Sequence, residues 1–129
     1  MASAEEQIGY WLDSAKHDLD TAQDLFDKGR YDWCLFIGHL VLEKTLKGFF
    51  IKSTGDTAPF THSLPYLAER AGLQLSNKQV ELLEKVTDFN LEARYPDAKL
   101  SFYNLCTKDF TEPYFKDIRE FREWMLKKF

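Results

Sequence analysis

The sequence predicts an all-α fold, an up-and-down four-helix bundle with one additional short helix. Three observations predict it. Apolar residues recur at three- and four-residue steps over four long segments, which places them on one face of each. Ser or Thr heads every helical segment except the second, and two of these residues are followed three positions later by Glu or Gln, the spacing of a capping box. No segment shows the period-two alternation of a half-buried strand. The chain has 129 residues, of which 44% are hydrophobic. That is enough for one domain over residues 1–129, with a core that needs neither disulfide nor metal.

Residues 4–27 read as the first helix. Ser3 and Glu6 make its capping box, and Ile8, Trp11, Leu12, Ala15, Leu19, Ala22 and Phe26 make its inner face. Lys16–Asp20 and Asp24–Lys28 are spaced to pair on the outer face, and Gly29 suits a left-handed cap. Residues 31–52 are apolar almost all round, from Trp33 and Phe36 to Phe50 and Ile51. Such a helix lies centrally, against several neighbours. Residues 53–62 read as a loop. Ser63 then caps a short helix that ends near Gly72, with Pro65 in its first turn. Ser76 and Gln79 open a helix carrying Val80, Leu83, Val86 and Phe89; it stops near Arg94, because Pro96 disfavours helical backbone at Tyr95. A loop is expected from there to about Cys106. The last helix starts at Thr107 or Thr111, with Phe110, Tyr114, Ile118, Phe121 and Met125 inward. On its outer face Glu112–Lys116 and Arg119–Glu123 have pairing distance.

Composition narrows the function. The formal net charge of −4 lacks the basic footprint of a duplex-DNA binder. No apolar run approaches the roughly 18 residues of a membrane span, and no apolar signal core precedes the early acidic residues Glu5 and Glu6. Cys34 and Cys106 are isolated, without finger-like spacing, so no structural metal or cofactor is expected. Two free thiols fit a reducing, cytoplasmic setting. With 11 Phe and 3 Trp, a bundle of this length has little room to bury every large ring, and some are expected at a two-fold interface.

Two polar clusters carry the candidate chemistry. His39, Glu43 and Lys47 lie four apart on the central helix. The stripe reads either as an internally paired edge of that helix or as a cradle for an anion, and Lys47 argues against a metal there. Arg94, Tyr95 and Asp97 surround the turn at Pro96. An arginine beside an aromatic on a fixed backbone can clamp a phosphate and stack a base, with Asp97 able to pair the guanidinium. His62, before the short helix, is a third candidate, although a capping segment is the simpler reading of Thr61-His62-Ser63. His17 lies on a solvated face. The two clusters read either as a purely structural ion-pair network or as one ligand site, with Glu43 or Asp97 pairing Arg94 when no ligand is bound. No nucleophile elbow, phosphate loop or metalloprotease helix motif occurs, so no catalytic residue is assigned.

Four segments in order, Gly29-Arg30-Tyr31-Asp32-Trp33-Cys34, His39 to Lys47, Thr61-His62-Ser63-Leu64 and Ala93-Arg94-Tyr95-Pro96-Asp97, resemble the HEPN domain family. The resemblance runs from about Ile8 to the last helix. It implies a helical bundle that commonly forms homodimers. It also implies a setting beside a minimal nucleotidyltransferase partner in toxin–antitoxin-like pairs. Some HEPN members are metal-independent ribonucleases; others bind nucleotides or serve as interaction modules. The ribonuclease members carry a histidine a few residues after the arginine. Here no histidine follows His62 anywhere in the chain. The leading expectation is therefore a non-catalytic binding module for a nucleotide or RNA ligand, with an RNA-cleaving toxin and a nucleotide-binding regulator as alternatives.

Overall fold

The computed structural model describes residues 2–129, except for the side chains of Pro96 and Asp97. It contains six helices: α1 (Ala4–Asp27), α2 (Tyr31–Thr54), α3 (Leu64–Arg70), α4 (Asn77–Arg94), α5 (Pro96–Leu105) and α6 (Lys108–Leu126). No strand occurs among the described residues. None of these helices is long and apolar enough to cross a membrane.

Four helix starts follow the capping chemistry, while α2 and α5 begin without a side-chain cap. Ser3 with Glu6 and Ser76 with Gln79 form reciprocal capping boxes. Ser63 accepts from the amide of Tyr66, and Thr107 from that of Phe110. Each such cap satisfies a donor that the helix cannot, an effect worth about 1 kcal/mol. α2 runs two residues further than expected and ends at Gly55, whose φ of 78° is the left-handed geometry that favours glycine.

One element differs. The stretch after Arg94, expected as a loop to about Cys106, folds as α5. Tyr95 is extended (φ −102°, ψ 128°), as a pre-proline residue prefers. Pro96 then occupies the first turn, where its missing N–H costs nothing. Phe102 anchors the new helix by packing against Phe89 at 5.5 Å between ring centroids.

α2 is the hub and packs on α1, α3, α4, α5 and α6. The core joins Leu35, Leu42 and Leu46 of α2 to residues of all four later helices, among them Leu67, Phe89, Phe102 and Ile118. A smaller cluster of Ala22, Cys34 and Phe115 seals α1 against α2 and α6. As expected, the bundle does not bury every large ring: of the Phe and Trp side chains only Phe50, Phe89, Phe102, Phe115 and Phe121 are buried, and Trp33 and Phe60 are exposed. The remaining exposed rings belong to Tyr10, Tyr66, Tyr95 and Tyr103. Both cysteines are free and buried, and burial pushes each thiol up to about 12.

Surface pairing also re-sorts. Lys16 pairs with Asp20 as expected. On α6, however, Lys116 turns to Glu120 at 3.8 Å rather than to Glu112. Arg119 reaches across to Gln23 Oε1 of α1 at 2.8 Å rather than to Glu123, because its guanidinium lies over the Phe115 ring, at the α1 seam.

Candidate functional site

The polar stripe of α2 is not a solvent edge. His39, Glu43 and Lys47 are all buried, because α1 and the α2–α3 loop close over them. Buried polar groups must find partners, and these find one another. Glu43 Oε2 accepts from Lys47 Nζ at 3.0 Å. Glu43 Oε1 accepts from His62 Nδ1 at 2.6 Å, the short distance of a charge-assisted bond. His39 Nε2 donates to the backbone carbonyl of His62 at 2.7 Å. On the other side, Lys47 Nζ lies 5.4 Å from the Trp11 ring centroid. The next lysine, Lys44, pairs with Asp18 of α1 at 2.7 Å.

His39 is fully buried, and burial is the main cause that lowers its imidazole to about 4. The bond to His62 and the carboxylate of Glu43 oppose that fall; His62 and Arg94 add to it. A neutral ring that donates from Nε2 leaves Nδ1 a bare acceptor. That atom is buried without a hydrogen-bond partner, 3.9 Å from Glu43 Oε1.

α4 supplies the opposite wall. Thr87, Asn90 and Arg94 follow at three- and four-residue steps and so share a face. Thr87 Oγ1 accepts from the amide of Leu64 at 3.2 Å, beside the His62 segment. Asn90 is buried and takes Arg94 Nε on its Oδ1 at 3.0 Å. The Arg94 guanidinium sits 5.8 Å from the centroid of Phe36, which lies one turn before His39 on α2. Arg94 and Tyr95 are both exposed. Next to them Lys99 lies over Trp33 at 5.3 Å.

The structure thus joins His39, Glu43, Lys47 and His62 directly and sets Arg94 alongside, close enough for its charge to act on His39. The expected Glu43–Arg94 pair does not form, because Lys47 and His62 occupy both carboxylate oxygens. The side chain of Asp97, the other expected partner, lies outside the described residues. Asn90 and Phe36 were not anticipated as Arg94's supports, although Asn90 stands four residues before Arg94, where helical side chains can pair, which is a readable signal. His17 is exposed on α1, as expected. Among the described residues no group of three or more His, Cys, Asp or Glu side chains is arranged to hold a metal.

Chemically, the buried members are a clamp. What can meet a ligand without unpacking the bundle is the guanidinium of Arg94, the ring of Tyr95 and Nε2 of His62, whose side chain is 56% exposed while Nδ1 is held by Glu43.

A solved structure with a similar fold is that of TT1696 from Thermus thermophilus. It superimposes with a TM-score of 0.82 at 23% sequence identity, covering 95% of this chain and 98% of that one. No curated protein matches the sequence significantly. The HEPN domain model matches residues 8–129, nearly the whole chain, so this six-helix protein belongs to the HEPN domain family.

Proposed function

We propose that the chain is a non-catalytic HEPN binding module that pairs with a second copy of itself. In this reading it holds a phosphate-bearing ligand, a nucleotide or RNA, at the corner formed by Arg94, Tyr95 and His62. A nucleotidyltransferase is its proposed protein partner, in a toxin–antitoxin-like pair. The observation that carries the ligand site is the support given to Arg94. A buried asparagine fixes its Nε and an aromatic ring lies beside its guanidinium, yet the residue stays exposed. A guanidinium prepared in this way meets an anion at little entropic cost. The non-catalytic reading follows from the histidines: none follows Arg94, and His39 is sealed and neutral.

A second reading, an RNA-cleaving toxin, is favoured by one contact. A buried carboxylate on His62 Nδ1 orients the ring with Nε2 outward, the arrangement a general base uses. One experiment separates the two. Purified protein is titrated with nucleoside triphosphates by calorimetry and incubated with mixed RNA in chelator. The binding-module reading expects saturable binding that Arg94→Ala weakens about tenfold or more, intact RNA, and stability within about 1 kcal/mol of the parent, since Arg94 is exposed. RNA cleavage lost in both Arg94→Ala and His62→Gln would replace it with the ribonuclease reading.

A further inference from the structure

The loop that leads into His62 carries a feature the ligand corner does not use. Phe60, on this α2–α3 loop, is completely exposed. The loop that presents it is held at both ends. Gly55 caps α2, and the amide of Asp56 donates to Thr54 Oγ1 at 3.1 Å. At the other end the His62 carbonyl is taken by His39 and its ring by Glu43, while the amide of Ser63 donates to Thr61 Oγ1. Pro59 restricts the backbone just before the ring. The buried polar clamp therefore fixes a loop whose most apolar side chain faces water.

Beside this loop lies an open groove of about 420 Å³, lined by Glu6, Tyr10 and Trp11 of α1 and by Thr57 and Ala58 of the loop. Tyr10 is 63% exposed. The charge here is mostly acidic, with the exposed Lys52 in the last turn of α2 as the adjoining cation. Residues 2–14 and 53–63 contain Glu5, Glu6, Asp13 and Asp56 and no lysine or arginine. Taking these four from the chain's 21 acids leaves 17, which the 17 lysines and arginines balance; the whole formal net charge of −4 resides on these two segments. The nearest buried cation, Lys47, stands behind Trp11 and is paired with Glu43.

We propose that the Gly55–Ser63 loop and the adjoining start of α1 form a protein-docking surface, with Phe60 as its anchor, for a partner segment that flanks an apolar patch with lysines and arginines. The charge selects this occupant. A second copy meeting the same face would set a predominantly acidic surface against itself, and like charges across an interface are disfavoured. Nucleic acid and anionic lipid are repelled for the same reason. A basic partner gains complementary charge from the acids and an exposed aromatic ring on a fixed loop, the kind of side chain that anchors interface hot spots. This surface shares the His62 loop with the ligand corner but is anchored on Phe60 and uses neither Arg94 nor Tyr95, so Phe60→Ser and Arg94→Ala test the two proposals separately.

The test uses the full chain and three labelled peptides of equal length: an apolar centre flanked by Lys and Arg, the same centre flanked by Asp and Glu, and the Lys/Arg flanks without the centre. Fluorescence anisotropy should show binding of the first only, weakening as salt is raised. Phe60→Ser should weaken it about tenfold or more, as truncation of an anchor does. Glu5→Lys with Asp56→Lys should weaken it too, while Arg94→Ala leaves it unchanged. The proposal is overturned if no peptide binds, if the acidic-flanked peptide binds equally, or if Phe60→Ser has no effect. It is equally overturned if Phe60→Ser turns a dimer into a monomer in sedimentation, or removes binding to phosphatidylglycerol vesicles; those results would name a second copy or a membrane as the occupant.

Discussion

At the scale of single residues, His39 is where the fold and the solvent are most sharply opposed. Its ring is wholly buried and neutral, with a folded-state value of about 4 against an ordinary 6.5. Below 6.5 the unfolded chain takes up a proton that the folded chain refuses until about 4. The contribution is thus fully present above pH 6.5, and falls as the pH drops from 6.5 to about 4. The shift corresponds to a loss on the order of 3 kcal/mol across that window. Urea unfolding of the parent at pH 7.5 and pH 5 should show the drop, and His39→Gln, whose amide can still donate to the His62 carbonyl, should flatten it. An equal slope in both proteins would show that other groups set the acid limit. The same residue marks how far sequence reading went. The spacing of His39, Glu43 and Lys47 put them on one stripe, but burial of that stripe depends on the α2–α3 loop folding back, and nothing local encodes where a loop returns. His62 looked like part of a cap because its carboxylate partner lies 19 residues away in sequence.

At the scale of helices, the close approach of α2 and α6 runs through Gly38. A Cβ added there would stand 2.9 Å from Ile118 Cδ1, and Ile118 is itself fully buried. Gly38→Leu should therefore destabilise by about 1–3 kcal/mol through overpacking, despite the better helix propensity of leucine. Gly9 is the control: nothing lies within 4 Å of its Cβ position, so Gly9→Ala should stabilise by about 0.5–1 kcal/mol. Denaturant midpoints measure both, and a stabilised Gly38→Leu would mean that the two helices are not held at this distance. Helix limits were legible where they rest on local chemistry: Ala4–Asp27 and Asn77–Arg94 fall where Ser3, Ser76 and Pro96 put them. α5 was not legible, because Pro96 can end a helix or begin one. Contacts made with other elements, such as that of Phe102 with Phe89, decide which.

At the scale of the molecule, the exposed large apolar side chains are unevenly spread. Leu91, Tyr95, Leu100, Tyr103 and Leu105 all belong to the end of α4 and to α5. A concentration of exposed apolar side chains along one stretch of the fold commonly marks an association surface. We expect the proposed homodimer to use it, burying on the order of 800 Å² per protomer. Sedimentation at micromolar concentration should give a dimer for the parent and a monomer for Leu100→Asp with Tyr103→Ser; a parent that is monomeric throughout rules the dimer out. Exposure of α5 was invisible in a sequence that did not disclose α5, whereas the central place of α2 was readable from an apolar circumference that only several neighbours can cover.

The hub role of α2 also sets the order in which the chain can assemble. Its pairing with α1 crosses a link of three residues, Lys28 to Arg30, so closing that hairpin costs little entropy. Its pairing with α6 joins Gly38 to Ile118, and waits for α3, α4 and α5 to be brought round between them. During synthesis or refolding there is thus an interval in which the first hairpin exists while the opposite flank of α2, the most apolar helix in the protein, is still bare. Crowded conditions or a missing α6 would prolong that interval, and the sticky surface then available to other chains would be the future core itself.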